Sequence, residues 1–382
     1  MENEPKSFMT ATLIPSPAPL LRRARKARTR MNTSRHPQTA AEPSVAAVYD
    51  RRLFVLRKSS AVTDRRYRIA SGFGVRSALI VLACALAALT VRAEETFCWS
   101  EQPGGKLALA EAGKPVLVFN HGLQLKEGVK EQFRRADYFH PIYDLDGVVI
   151  TDDFPKDHFH HRGLFWGWPE VTAGGKTYDP WACVGMQQRF KRWLAREARP
   201  DCAVLGVENG WFLGEESVIR ETVEARIHRR TDTGRAMDVT VTLEAEKEPV
   251  SMSGRHEANK GYGGFTLRYA PRRDASITLP TGRIEKDAVQ VKSPWADYSA
   301  KFGTSDAVSG VAIFDHPKNP NHPTTWLTRY YGVLNPTWPA LETVELVRGK
   351  PVTLRYRLWI HRGDCAAGKV AGAHAEWLAA LR

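Results

Sequence analysis

Apolar and polar residues alternate with a period of two along much of the chain beyond residue 95. From 217 to 228, Ile219, Glu221, Val223, Ala225 and Ile227 interleave with Val218, Arg220, Thr222, Glu224 and Arg226. A turn over 230–234 leads to Met237, Val239, Val241, Leu243 and Ala245, again every second residue, so the two segments predict a β-hairpin. Short apolar runs at 107–110 and 115–120 flank an Ala-Gly-Lys turn, and further strands are predicted at 264–269, 276–279, 308–314, 325–334 and 351–361. In the last, Val352, Leu354, Tyr356, Leu358 and Ile360 face one way, and Arg355, Arg357, Trp359 and His361 the other. Helix is read only at 371–381, with a second suggested around 187–196. There is no 30-residue βαβ spacing, no Gly-rich phosphate loop and no repeat, which excludes nucleotide-binding α/β folds. The pattern predicts an all-β chain, a large antiparallel β-sandwich with a short C-terminal helix, built as one domain over 94–382.

Charge changes the picture only at the N-terminal end. The chain of 382 residues has a formal net charge of +13, which taken alone suggests nucleic acid or an anionic membrane. Residues 1–93, however, hold 17 Lys and Arg against 5 Asp and Glu, leaving 38 against 37 for the remainder. The sandwich is therefore nearly neutral, and no nucleic-acid partner is expected. Residues 76–95 read RSALIVLACALAALTVRAEE: a basic residue, an apolar run over 78–89 and a small-residue site at 91–93, the three parts of a secretory signal peptide. The run is shorter than the ~20 apolar residues that a membrane-spanning helix needs, so no stable membrane insertion is expected after cleavage. The expected organisation is a disordered basic extension over 1–74, a signal peptide over 75–93 and an exported mature domain, periplasmic or extracellular. The extension suggests a translation start lying further along, near Val62 or Val75. Cys98, Cys183, Cys202 and Cys365 could pair after export or remain free, and none shows the C-x-x-C spacing of a zinc site.

Candidate chemistry concentrates at 152–168, DDFPKDHFHHRGLFWGW. After Pro155 the aromatic and glycine content of 157–168 favours extended chain, which would put His158, His160, Arg162, Leu164, Trp166 and Trp168 on one face and Asp157, Phe159, His161 and Phe165 on the other. Any one histidine could be a structural residue, but three with Arg162 point to a site. Three further clusters are polar and aromatic: 257–264, with Glu257, Lys260 and Tyr262, leading to Arg268; 295–299, with Asp297 and Tyr298; and the His- and Pro-rich loop 315–323, with His316, followed by Trp326 and Arg329. Each could equally be a turn, an aromatic corner or a surface loop.

The order of these motifs, TDDFPKDHFHHRGLFWGW, KGYGGFTLRY, WADYS, GVAIFDHPKNPNHPTTW with RYYGVLNPTW, and LRYRLWIHRGD, resembles the secreted bacterial family catalogued as "methane oxygenase PmoA" across roughly 95–382. The family motif DHPHHRG here has Phe159 in place of proline and keeps all three histidines. The resemblance implies an exported β-rich protein, and the pattern also looks like that of galactose-mutarotase-type supersandwiches, which often act on sugars.

The leading expectation is a carbohydrate-active enzyme, a hydrolase, lyase or isomerase acting on a small or polymeric sugar. His160 or His161 would be the acid, Arg162 would hold an anion or sugar oxygen, and Asp157 or Glu257 would be the base. His158, Trp166, Trp168, Lys260, Tyr262, Arg268, Asp297, Tyr298, His316, Trp326 and Arg329 would bind substrate. Two alternatives stand beside it: a non-catalytic glycan-binding module, and a metal enzyme with copper, iron or zinc on His158 and His160, completed by His316 or His361. No cofactor is otherwise expected, and the sequence leaves the oligomeric state open. The sharpest expectation is geometric: His160, His161 and Arg162 share one cleft with Arg268, His316 and Arg329, walled by Trp166 or Trp326.

Overall fold

The structure, a computed structural model, describes residues 97–382. The basic extension over 1–74 and the signal peptide over 75–93 lie outside the described residues. In chain order the strands are β1 (Phe97–Gln102), β2 (Lys106–Glu111), β3 (Lys114–Asn120), β4 (Tyr138–Ile142), β5 (Leu164–Gly167), β6 (Glu170–Ala173), β7 (Lys176–Tyr178) and β8 (Gln187–Ala198). There follow β9 (Cys202–Leu213), β10 (Glu216–His228), β11 (Gly234–Ala245), β12 (Val250–Ser253), β13 (Gly264–Arg268), β14 (Arg272–Leu279), β15 (Gly282–Ile284) and β16 (Ala288–Lys292). The last are β17 (Trp295–Phe302), β18 (Val308–Asp315), β19 (Thr325–Arg329), β20 (Val333–Thr337), β21 (Val344–Leu346) and β22 (Val352–Arg362), before the helix α1 (Val370–Ala380).

Two nine-stranded antiparallel sheets make a large β-sandwich, as the alternation predicts. The first runs β1-β2-β3-β4-β5-β13-β20-β19-β16 and the second β15-β14-β17-β18-β22-β11-β10-β9-β8. A four-stranded sheet, β21-β12-β6-β7, accompanies them. The β10–β11 hairpin keeps the expected register, Val223 opposite Val241 and Ile227 opposite Met237, and its period-two apolar set is buried. The apolar face of the second sheet packs in one core with that of the first. Phe265 of β13 stacks on Tyr356 of β22 with ring centroids 4.3 Å apart, and Trp168 lies 5.8 Å from Trp211 of β9. The polar exception is Glu221, fully buried in β10, which accepts the indole N–H groups of Trp166 and Trp211 (both 2.8 Å) and the amide of Asn209 (2.9 Å). A buried carboxyl group needs hydrogen-bond partners, and these tie the two sheets together.

Three sequence expectations are corrected. Residues 187–196 form edge strand β8, not helix; β-bulges at 190–192 and 193–195 break the alternation that would have marked it, and its outer residues are charged as edge strands require. The segment 325–334 is two strands, because a turn at Gly332, φ +103°, folds β20 back onto β19. Residues 295–299 are no corner or loop but the start of β17, paired on both sides within the second sheet. All four cysteines among the described residues are free.

Candidate functional site

The histidine segment is a pair of turns rather than a strand. The Pro155 carbonyl accepts the His158 N–H (3.0 Å) and the His158 carbonyl accepts the His161 N–H (2.9 Å), so residues three apart are brought together instead of residues two apart. His158 and His161 stack with centroids 4.6 Å apart and planes 6° apart, and Tyr331 lies parallel to His158 at 5.2 Å. His160 meets both histidines edge-on. Gly163 closes the segment where any side chain would collide with the Phe139 carbonyl of β4, at 2.2 Å from its Cβ.

Arg162 supports this arrangement from beneath. Its side chain is completely buried, its Nη1 donates to the carbonyls of Phe159 and His161 (both 2.7 Å), its Nε lies 3.3 Å from Asp153, and its guanidinium sits 3.5 Å from the Phe154 ring centroid. The arginine expected to hold substrate is therefore a staple for the turn. Burial in turn pushes the Asp153 carboxyl up to about 6.

A pocket of about 180 Å³ opens against the stacked rings. His158, His161, Trp181 and Tyr262 line it, with the cations Lys260 and Arg329, and Leu327, Val333 and Tyr331 from β19, β20 and the turn between them. Trp181 meets His161 edge-on at 5.7 Å and is tilted against Tyr262 at 5.1 Å. Just outside, Arg268 of β13 grips Asp157 through both carboxylate oxygens (2.8 and 3.0 Å) and lies over Tyr331, while Asp157 also reaches His158 Nδ1 at 3.1 Å. Burial alone would raise the Asp157 carboxyl, but Arg268 and His158 outweigh it and hold it below the usual range, so it is an anion.

The same forces keep two histidines neutral. Burial, then the charges of Arg135 and His158, push His160 down to about 3; burial, then its histidine neighbours, push His161 well below its ordinary value. Neither ring carries the proton that an acid at neutral pH would give. His161 Nδ1 and Arg268 Nε and Nη1 are buried without a hydrogen-bond partner in the protein. Groups of that kind are rare in a finished core and ordinary in a site that meets a ligand.

The expected cleft is thus assembled in part. His158, His161, Lys260, Tyr262 and Arg329 share one pocket, with Asp157 and Arg268 beside it. His160 touches its neighbours without lining it, and Glu257 is exposed, 3.5 Å from Lys260. The tryptophans are corrected: Trp166, Trp168 and Trp326 are core residues whose indole N–H groups go to Glu221, the Trp338 carbonyl and the Ser293 carbonyl. Asp297 is buried against His361 (2.8 Å), and Tyr298 bonds the Tyr330 carbonyl (2.7 Å) and stacks on Tyr269. His316 packs edge-on against Trp377 of α1 at 5.4 Å. His316 and His361 therefore do not join His158 and His160, and among the described residues no three His, Cys, Asp or Glu side chains gather as a metal site would require. Sequence reasoning missed Trp181 and Tyr331. The only local signals were an aromatic beside a proline turn and an aromatic beside Gly332.

Fold and site define a β-sandwich with a cationic, aromatic pocket lined from β19, β20 and the loops beside them. The chain belongs to the family of unknown function DUF6807, which matches residues 106–375. No curated protein sequence matches it. Among solved structures it is similar to a galactose mutarotase related enzyme from Lactobacillus acidophilus (TM-score 0.33, 9% identity, 69% of this chain and 97% of that one). It is also similar to a GalM/aldose epimerase homologue from C. elegans (TM-score 0.30, 7% identity, 70% and 99%). A putative kojibiose phosphorylase from the human microbiome matches at TM-score 0.30 and 7% identity over 72% of this chain, which spans only 31% of that protein.

Proposed function

We propose that the protein is an exported carbohydrate-active enzyme that takes an acidic sugar residue into the histidine pocket and cleaves its chain by β-elimination. The observation that carries this reading is the lining itself: two cations, no carboxylate, and aromatic rings beside a buried imidazole nitrogen without a partner. Trp181 and Tyr262 offer flat apolar surface to the C–H face of a sugar ring, and Lys260 and Arg329 offer charge to a carboxylate.

These groups suit one reaction class. Pairing a uronate carboxylate with Lys260 and Arg329 acidifies the C–H bond beside it. His158, whose Nδ1 lies 3.1 Å from the Asp157 anion, would present Nε2 as the base that removes that proton. The electron pair forms the C4=C5 double bond, the C4–O bond breaks, and the departing oxygen takes a proton from Tyr331, whose phenol burial pushes up so that it is protonated at neutral pH. No water or cofactor is consumed.

Incubation with polygalacturonate, alginate and a glucuronan, followed by the ultraviolet absorbance of the unsaturated product, tests it. Activity lost in His158→Ala and Lys260→Ala supports the proposal. Binding of these polymers without product would establish the non-catalytic glycan-binding reading instead, and neither binding nor product would remove the sugar reading.

A further inference from the structure

The loop after β18 builds a second oriented histidine. Asp315, 1% exposed, accepts the amide of Asn319 at Oδ1 (2.8 Å), and at Oδ2 the Thr324 N–H (2.9 Å) and His322 Nδ1 (2.7 Å). With a carboxylate on Nδ1, that nitrogen is the donor, and Nε2 is the ring's remaining hydrogen-bonding atom. His322 lines a pocket of about 310 Å³ together with Lys292, Gln290, Thr325, Thr337 and Glu342. Glu342 is held by the Asn321 amide at 3.3 Å. Pro339, Ala340 and Leu341 complete the lining, so a few oriented polar groups stand against apolar surface, as a sugar with hydroxyls and a C–H face requires.

We infer that this pocket and the histidine pocket are two subsites of one groove, and that the ligand is an oligouronide rather than a single sugar. The same strands carry both. On β19, Thr325 lines the second pocket and Leu327 and Arg329 the first, alternate residues of one strand sharing a face. On β20, Thr337 pairs with Thr325 and Val333 with Arg329, and each lines the same pocket as its partner. Thr325 and Arg329 stand four positions apart, roughly 13 Å at the usual rise, with Leu327 of the first pocket between them. Gln290, in the second pocket, donates to the carbonyl of Lys260 (3.0 Å), whose side chain lines the first. Elimination also needs a second sugar as leaving group, which a one-residue pocket would not hold.

The inference rests on the acidic-sugar reading, and calorimetric binding separates the two. Galacturonate, its dimer and its tetramer, with the matching guluronate and glucuronate series, are titrated into the whole protein. The tetramer of the preferred series is expected to bind at least tenfold tighter than the monomer, about 1.4 kcal/mol of added contact per decade. In His322→Ala that gain is expected to collapse while monomer affinity stays within about twofold. Lys292→Trp, an exposed strand position that can obstruct the pocket without disturbing the Asp315 loop, is expected to do the same; Lys260→Ala weakens monomer and tetramer together. A tetramer that binds no tighter than the monomer, or a gain that survives both variants, overturns the groove and leaves the acidic-sugar reading standing. No binding by any member overturns both.

Discussion

The rings of His158 and His161 lie parallel, 6° apart in plane and 4.6 Å between centroids, because the carbonyl of the first accepts the N–H of the second. Arg162 holds the carbonyls on either side of that turn, at Phe159 and His161, from a fully buried position. Its role depends on a planar fork that a lysine does not reproduce. Arg162→Lys is therefore expected to lower unfolding stability by about 3 kcal/mol and to lose ligand binding with it, whereas an arginine touching only substrate would lose binding alone. Urea unfolding of wild type and variant, alongside calorimetry, checks this.

Two tryptophans give opposite expectations. Trp166 joins the sheets through Glu221, so Trp166→Phe removes a buried hydrogen bond to that carboxyl and should cost about 1–3 kcal/mol of stability without changing the affinity of the folded protein. Trp181 walls the pocket, so Trp181→Ala should weaken sugar binding by roughly tenfold or more, as the loss of an aromatic anchor does. Denaturant midpoints and calorimetry on both variants read the two effects separately, and an exchange of the two outcomes would return Trp166 to the site.

Strands were legible wherever one face met the core and the other met solvent, as in β10, β11 and β22. Period-two reading failed where two residues oppose one, in β8, and where both faces are buried, in β17. At the site, the residue types were legible and their directions were not. A turn stabilised by Arg162 brings together His158 and His161, which extended chain would put on opposite faces, and the tryptophans that looked like sugar platforms are large apolar groups required between two nine-stranded sheets. Trp181, Tyr331 and the Asp315–His322 pair depend on contacts between distant segments, which no local pattern records.

Burial of neutral histidines links the fold to pH. His140, pushed down to about 4 by burial and then by the charges of Arg162 and Lys106, stays neutral where the unfolded chain takes up a proton at 6.5. The unfolded state then binds more protons between those values, so this residue's contribution falls as pH drops from 6.5 toward 4. Buried carboxyls such as Asp153, held up near 6, act in the opposite sense over the same range, and a single stability curve mixes the two. The difference between His140→Gln and wild type isolates the histidine. Whatever the variant costs at pH 7, it should recover on the order of 1 kcal/mol or more relative to wild type by pH 4.5. Paired denaturant curves at the two pH values check it, and a difference independent of pH would mean that His140 titrates normally.

Asp297 tests whether a buried carboxylate in the second sheet belongs to the site or to the fold. It lies fully buried with His361, Oδ1 to Nε2 at 2.8 Å, and its Oδ2 accepts the Ser299 hydroxyl at 2.6 Å. Burial alone would lower the His361 pKa, but the charge and hydrogen bond of Asp297 outweigh it and raise it above 6.5. Removing one partner leaves the other charged or unsatisfied in the core, so His361→Ala and Asp297→Ala should each cost about 3–5 kcal/mol. The double replacement by leucine should cost less than either, because no orphaned charge remains. The raised histidine fixes the pH sense: its stabilisation is complete below 6.5 and is lost as pH rises through the folded value. Wild type should therefore lose stability from pH 7 toward pH 9 relative to the double variant. Sugar affinity of the folded double variant should equal that of wild type, since neither residue lines the pocket. A double variant that is stable yet fails to bind would place Asp297 back among the substrate contacts.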